Sequence, residues 1–169
     1  MANAFTTSGM FLSEYTRALD PQWRVSLPSE WRGGETEFVM LPTVGQSFLL
    51  LPVAMFRSLF EAVSEQAIAD VALQEAFAFL GSQARFCRCD KQGRMALDKA
   101  KLESAGITGE VKLIGACNHI RLTAVDKWNV PTDDNSVGRY FDAIRRAKES
   151  SNSVLTGLLG AMTNGRGDK

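Results

Sequence analysis

The sequence predicts an α+β fold in which one short β unit occurs twice. Residues 15–56 and 85–128 share an order: a strand-like run ending in Asp, an Arg four residues later, a helical turn, a glycine break and two apolar runs. Apolar residues at helical spacing lie between the copies and after the second. Since one copy is too small to bury its own apolar faces, we expect two interleaved copies to form a compact β core with helices outside.

The first copy is predicted to contain four short strands and one helical turn. Residues 11–19 and 25–28 have strand character on either side of the turn at Asp20. Ser29 is expected to cap a helical turn that ends at Gly33. Two further strands, residues 37–41 and 47–51, form a predicted hairpin across residues 43–46.

The second copy repeats this order, and helices connect and follow the copies. Its predicted strands are 85–90, 94–97, 110–115 and 119–123, with a helix over 98–105 that stops at Gly106. Two linking helices are predicted from the apolar residues Met55, Phe56, Leu59, Phe60 and Val63, and then Ile68, Val71, Ala72, Phe79 and Leu80. A final amphipathic helix is predicted from Val137, Tyr140, Phe141 and Ile144.

These elements predict six segments along the chain. They are a flexible leader (1–9), a first β unit (10–57), linking helices (58–83), a second β unit (84–128), a C-terminal helix region (129–149) and a disordered tail rich in Gly, Ser and Asn (150–169).

Composition narrows the functional classes. The 169 residues are 45% hydrophobic, enough for a real core, and Lys plus Arg balance Asp plus Glu at 19 each. Any basic surface for a polyanion must therefore be local. An odd set of three cysteines without a signal-like leader predicts reduced thiols in a cytoplasm. Because the longest apolar runs, such as 48–53, are too short to span a bilayer, no membrane role is predicted.

Two arginines occupy the same place in the two copies. Arg24 and Arg94 each follow an Asp by four residues, at a turn where a strand ends. A guanidinium there suits a phosphate or a guanine edge. The alternative is an ion pair with Asp20 or Asp90 that holds the turn, and spacing alone favours this alternative.

A second group of residues has the chemistry of metal ligands. Cys87 and Cys89 alternate on one strand, Cys117 and His119 lie at a hairpin of the same copy, and adjacent pairing of the two would bring together a zinc-like ligand set. Structural zinc sites usually have a two-residue spacer between cysteines, however. The alternative is that the cysteines are small core residues and His119 lies at the surface, and no metal or cofactor is predicted.

Catalytic motifs are absent from the sequence. No nucleophile elbow accompanies the single histidine, and no glycine-rich phosphate loop occurs. We therefore predict that the protein is not an enzyme.

The sequence resembles the MraZ family. Residues 10–15 and 19–28 are similar to that family's pattern Met-Phe-x-Gly-Glu-Tyr followed by Leu-Asp-x-Lys-Gly-Arg-x-x-x-Pro. Residues 89–95 resemble the family's second Asp-x-x-Gly-Arg motif. The resemblance runs from about Met10 to Tyr140 and includes the linking helices, so it is more specific than either motif.

The resemblance implies a fold and a function. MraZ proteins are bacterial transcription regulators with two swapped-hairpin AbrB-like β-barrel units per chain. They assemble into homo-oligomeric, octamer-like rings and bind double-stranded DNA at repeated boxes upstream of the cell-division and cell-wall gene cluster. A nucleoid-associated protein of the bacterial cytoplasm is therefore expected.

The resemblance also implies the DNA-contacting residues. By motif position Arg24 and Arg94 contact DNA, with Arg17, Arg88 and Lys91 as supporting phosphate contacts. Asp20, Asp90 and Gly93 would structure the turns.

The first motif departs from the family, because Gln22 stands where Lys is usual and Trp23 where Gly is usual. A ring-forming scaffold of the same fold that has lost DNA binding is therefore the alternative. An AbrB-like antitoxin is a third possibility, but such antitoxins usually carry one β unit.

Overall fold

A computed structural model describes residues 9–150. Except for Gly9 and Ser150, the predicted leader and tail lie outside this range. The described residues form eight β-strands and five α-helices, which confirms the α+β prediction. The strands are β1 (Glu14–Ala18), β2 (Arg24–Ser26), β3 (Glu37–Thr43), β4 (Ser47–Pro52), β5 (Arg85–Arg88), β6 (Arg94–Ala96), β7 (Glu110–Gly115) and β8 (Ile120–Thr123). The α-helices are α1 (Val53–Glu61), α2 (Ser64–Ala69), α3 (Val71–Gln83), α4 (Lys99–Ser104) and α5 (Asp134–Ser150).

The two copies interleave in one antiparallel sheet of strand order β1-β7-β8-β4-β3-β5. The first strand of each copy pairs with the third strand of the other, β1 with β7 and β5 with β3. The fourth strands, β4 and β8, pair with each other at the centre of the sheet. A pseudo-two-fold axis between β4 and β8 relates these pairings. Neither copy forms a sheet of its own, because the strands of both alternate in one sheet.

The second strands form an antiparallel two-stranded ribbon, with Arg24 opposite Ala96, Val25 opposite Met95 and Ser26 opposite Arg94. A single bridge between Cys89 and Met95 connects the end of β5 to this ribbon. Within residues 9–150 the edge strands β1 and β5 do not pair with each other. The described strands therefore form an open sheet and a ribbon, not the closed β-barrel that the family resemblance implies.

The main core lies between the six-stranded sheet and the β2–β6 ribbon. Val25 and Met95 of the ribbon are fully buried, and so are Phe38, Leu113 and Ile120 of the sheet. Residues of both copies contribute to this cluster. Because burial on this scale is the main stabilising contribution in a small domain, the copies depend on each other for stability.

The opposite face of the sheet is covered on one half by helices. Val39, Leu41 and Leu51 are buried there, with α1 and the end of α3 packed against them. On the other half, Arg121 lies over the ring of Trp128, and the indole N–H of Trp128 donates to Glu14. The outer face is thus apolar over the first copy and more polar over the second.

Two predictions about helices are wrong in detail. The residues after Pro28 form a 3₁₀ helix, Ser29–Trp31, in which Ser29 is the first residue and not the cap. Three helices link the copies where two were predicted, because Asp70 caps α3 through a bond from the amide of Leu73 and so ends α2. The β3–β4 hairpin and the final helix are confirmed. No helix among the described residues is both long and apolar enough to cross a membrane.

Candidate nucleic-acid interface

The two turns that precede the ribbon strands are near copies of each other. Asp20 Oδ1 accepts from the amides of Gln22 and Arg24, both at 2.9 Å. Its Oδ2 accepts from Arg24 Nε at 2.6 Å. In the second copy Asp90 accepts from the amides of Gln92 and Arg94, and from Arg94 Nε at 2.8 Å. Each carboxylate therefore binds both the turn backbone and the arginine.

These bonds lower the pKa of both aspartates. At Asp20 partial desolvation raises the pKa, but the bonds from the amide and guanidinium of Arg24 outweigh it. At Asp90 the amide of Arg94 is the largest cause, and it lowers the pKa against desolvation. Both carboxyl groups are thus ionised at neutral pH and can hold their arginines.

We expect Asp90→Asn to lower the thermal unfolding midpoint at pH 7, because the amide lacks the charge that holds Arg94. A depressed folded pKa contributes stability above the unfolded pKa, and that stability is lost as pH falls through the folded value. The difference in unfolding midpoint between the wild type and Asp90→Asn should therefore narrow below pH 3.8, the ordinary Asp pKa. Thermal scans across pH 2–7 measure it. Asp126→Asn, at an exposed site away from the turns, is the control; a gap that does not depend on pH would contradict the assignment.

The turns differ at the residue before the arginine. Gly93 has φ +77° and Trp23 has φ +58°, both in the left-handed region that glycine occupies most easily. Trp23 is half-buried against the main core, and the ammonium of Lys99 lies 5.5 Å from its ring centroid. The indole packs sideways onto the protein. The first turn therefore keeps the conformation of the second, with Trp23 at the position that Gly93 occupies there.

Arg24 and Arg94 face outward from the ribbon. Since Val25 and Met95 point into the core, the alternate residues on each strand point to solvent. Arg24 lies opposite Ala96 and Arg94 opposite Ser26, so the two arginines are diagonal neighbours, about 7–8 Å apart. Their side chains are 31% and 36% exposed. With each Nε bound to aspartate, the outer guanidinium nitrogens remain at the surface; Arg24 Nη2 also contacts Gln22 Oε1 at 3.3 Å.

Each turn is tied to the other copy. Leu27 donates its amide to the carbonyl of Gly93, and Leu97 donates to the carbonyl of Trp23, both at 2.9 Å. Through this crossing, Arg32 of the first copy lies against Gly93, and Lys99 of the second lies over Trp23. Sequence reasoning missed Arg32 and Lys99 as cations that lie beside the two turns. Their position after each turn was visible, but the contact depends on the exchange between copies.

The predicted supporting residues occupy different surroundings. Lys91 is exposed at the second turn, and no described residue forms an ion pair with it. Arg17 lies on β1 with its guanidinium 5.1 Å from the ring centroid of Tyr15. Arg88 is paired with Glu37 on the adjacent strand and lies over Phe86. By strand register the counterpart of Arg17 is Cys87, so these two positions do not share an arginine.

The strand pairing that would bring the cysteines and the histidine together does not occur among the described residues. Cys87 is buried on β5, and Cys89 follows that strand, whereas Cys117 and His119 lie at the β7–β8 hairpin. The strands β4 and β3 separate β8 from β5, a distance of about 14 Å. Burial raises the pKa of Cys87 to about 11 and that of Cys89 to about 11. Within residues 9–150 no cluster of potential ligands has metal-binding geometry.

Comparisons with known proteins give one consistent result. No family model matches the chain. Named relatives do: the "Transcriptional regulator MraZ" of Finegoldia magna is 28% identical over 130 residues, covering 76% of this chain and 90% of that protein. The protein of the same name from Herpetosiphon aurantiacus is 26% identical over 73% of this chain and 87% of its own length. That of Halothermothrix orenii is 25% identical over 88% of this chain and 99% of its own. No alignment of such length can be confined to one copy.

Proposed function

We propose that this chain is a member of the MraZ family of transcriptional regulators and that it binds double-stranded DNA through the outer face of the β2–β6 ribbon. The observation that carries the proposal is the diagonal pair of outward-facing arginines, Arg24 and Arg94. The family motif and an exposed pair of guanidinium groups coincide on this surface.

A two-stranded ribbon such as β2–β6 is a structure that the major groove can admit. A two-stranded β-ribbon fits a groove about 12 Å wide, where a guanidinium can bind the O6 and N7 atoms of guanine. The Asp20 and Asp90 carboxylates hold each arginine through Nε. This leaves the outer nitrogens for such contacts, except that Arg24 Nη2 also donates to Gln22. Preorganisation of this kind reduces the conformational entropy lost on binding.

Neighbouring cations extend the proposed surface toward phosphates. Lys91 is the most accessible at the second turn, and Arg32 and Lys99 flank the two turns. We include Arg17 as a further phosphate contact. Arg88 would contribute only by releasing Glu37.

We also propose that binding requires several subunits, because the chain has no net charge. One subunit neutralises few phosphates and has little affinity alone. A homo-oligomeric, octamer-like ring that meets repeated boxes would raise the effective concentration, with an avidity gain of about 10²-fold or more. We propose as the target the boxes upstream of the cell-division and cell-wall genes, in the nucleoid of the bacterial cytoplasm.

Arg94→Ala is expected to weaken binding by about 1–3 kcal/mol if the guanidinium contacts a base, and by less if it meets only phosphate. Arg24→Ala should have a smaller effect, because Gln22 already occupies one of its outer nitrogens. Fluorescence titration of labelled DNA from upstream of the protein's own gene, over a series of salt concentrations, measures both. A phosphate-only contact should reduce the salt slope by about one.

The control is Arg139→Ala, which removes the same charge from a helix outside the ribbon. Its affinity should equal that of the wild type. If neither Arg24→Ala nor Arg94→Ala differed from this control, the ribbon would not be the DNA-binding surface.

The alternative is a ring-forming scaffold of the same fold that does not bind DNA. The observation that favours it is the first turn, where Gln22 replaces a lysine and contacts Arg24. Salt separates the two proposals, because a DNA-binding protein loses affinity steeply as salt rises, whereas a scaffold would not shift DNA at any salt concentration.

A further inference from the structure

The two turns of the ribbon share one backbone plan but carry different side chains. In both, an aspartate accepts from the amides two and four residues later. The second turn has Lys91 after its aspartate and Gly93 before its arginine, whereas the first has Pro21 and Trp23 at those positions. The two arginines of the motif are therefore presented in unequal surroundings.

Arg24 uses more of its guanidinium inside the protein than Arg94 does. Arg24 Nε donates to Asp20 at 2.6 Å, and its Nη2 donates to Gln22 Oε1 at 3.3 Å. Arg94 Nε donates to Asp90 at 2.8 Å, and no other described residue accepts from its side chain. Among the described residues, both end nitrogens of Arg94 are thus without a partner, whereas one of those of Arg24 is engaged.

Recognition of a guanine requires two donors on one edge of the guanidinium. The O6 and N7 atoms of guanine are neighbouring acceptors in the major groove, and an arginine binds both through two nitrogens. Because each Nε already donates to aspartate, the edge formed by Nη1 and Nη2 is the one left for this contact. In Arg24 the Gln22 carbonyl competes for that edge, whereas a phosphate oxygen needs only a single donor.

The flank of the first turn suits a phosphate. The ring of Trp23 holds the ammonium of Lys99 at 5.5 Å from its centroid, which places a second cation beside the turn that carries Arg24. Lys99 also lies 3.8 Å from Glu103, but both side chains are largely exposed, so this ion pair is weak and can be exchanged for a phosphate. A lysine is a point charge without a planar fork and neutralises phosphate without identifying a base.

The second turn has two cations besides its arginine. Lys91 is exposed, and Arg32 lies against Gly93, with its Nε donating to the carbonyl of Leu27 at 2.8 Å. Either cation can neutralise a phosphate at this turn. Phosphate binding here therefore does not depend on Arg94, whose end nitrogens are available for a base.

We propose that the two arginines of one chain have different roles on DNA: Arg94 recognises a guanine through its two end nitrogens, whereas Arg24, together with Lys99, binds phosphate. This assignment rests on the proposed function, because it presupposes DNA binding by the ribbon. Phosphate contacts position a protein on the duplex, and base contacts specify the sequence. The ribbon is otherwise pseudo-symmetric, so this difference gives each chain a defined orientation on its site.

The test combines each variant with a change in the base itself. The probe is a labelled duplex from upstream of the protein's own gene, made with guanine or with 7-deazaguanine, which lacks the N7 acceptor and keeps the phosphates. Fluorescence titration of the full-length chain at low salt keeps weakened variants measurable. The wild type and Arg24→Ala should each bind the modified duplex at least about 5-fold less tightly than the ordinary one, whereas Arg94→Ala should bind both equally. Arg24→Ala and Lys99→Met should each reduce the salt slope by about one.

The control is again Arg139→Ala on helix α5, which should match the wild type on both duplexes. Circular dichroism checks that each variant is folded. A wild type that binds both duplexes equally, or an Arg24→Ala variant as insensitive to the modified base as Arg94→Ala, would overturn the division of roles and leave DNA binding by the ribbon standing. A wild type that binds neither duplex, or two arginine variants that equal the control on the ordinary duplex, would overturn the proposed interface and the division with it.

Discussion

Phe38→Ala is expected to lower the free energy of unfolding by about 3–5 kcal/mol, the usual cost of deleting a buried phenyl ring. Phe38 is 0% exposed, and its ring packs 5.9 Å from that of Phe11. Its strand β3 pairs with β5 of the other copy, and Phe38 lies opposite Cys87. The cavity would lie where the two copies pack against each other. Because both copies are fixed by the sheet, neighbouring side chains can fill it only partly.

Such a loss is large because small domains are stable by only about 5–15 kcal/mol. Guanidinium denaturation at fixed protein concentration measures it, since assembly makes apparent stability depend on concentration. Phe79→Ala is the matched control, because Phe79 is 60% exposed and its removal should change stability by less than about 0.5 kcal/mol. A cost for Phe38→Ala close to that of the control would mean that the core can repack around the missing ring.

Local signals in the sequence predicted the elements whose cause is local. The β3–β4 hairpin follows from two apolar runs around a glycine-containing turn. Helix α4 begins where Asp98 accepts from the amide of Lys101, and Gly106, at φ +72°, follows its end. The break between α2 and α3 also had a local signal, the capping side chain of Asp70, which the apolar spacing obscured.

The strand order could not be predicted in the same way, because it depends on contacts between distant segments. Alternation shows that Cys87 and Phe86 face opposite sides of a strand, but not that β3 is the partner of that strand. For this reason spacing alone could not decide whether Cys87 approaches His119. Long-range pairing is selected by burial over the whole sheet and leaves little trace in a short window of sequence.

The candidate site also combines features that depend on neighbouring residues with features that depend on distant ones. The Asp20 and Asp90 turns are five-residue structures, so the alternative of an Asp–Arg pair was accessible from spacing alone. The juxtaposition of Arg24 with Arg94 depends on the β2–β6 register. The positions of Arg32 and Lys99 depend on the crossing of the copies and were not foreseeable from the motif.

Gly93→Ala is expected to destabilise the protein by about 2–3 kcal/mol. The left-handed conformation at φ +77° costs a side-chain-bearing residue about 1–2 kcal/mol. An added Cβ would lie 2.3 Å from Arg32 Nε and would force that side chain to move. Arg32 Nε donates to the carbonyl of Leu27 at 2.8 Å, and losing that bond adds about 1 kcal/mol. Thermal or guanidinium unfolding measures the sum.

Gly109→Ala provides the matched control for the backbone contribution. Gly109 has φ +76°, and nothing lies within 4 Å of a Cβ built there. It should therefore show only the conformational cost of about 1–2 kcal/mol. Equal losses at Gly93 and Gly109 would mean that Arg32 moves aside freely.

The contact with Arg32 can be isolated by a double-mutant cycle. In an Arg32→Ala background the obstacle above Gly93 is removed, so Gly93→Ala should cost no more than Gly109→Ala does. The first copy supports this expectation, because Trp23 holds the same left-handed position with the ammonium of Lys99 5.5 Å from its ring centroid. A side chain is thus tolerated at this position of the turn when the flanking cation leaves room for it. If Gly93→Ala remained costlier than Gly109→Ala in the Arg32→Ala background, the constraint would lie in the turn backbone itself, where Gly93 accepts from the amide of Leu27.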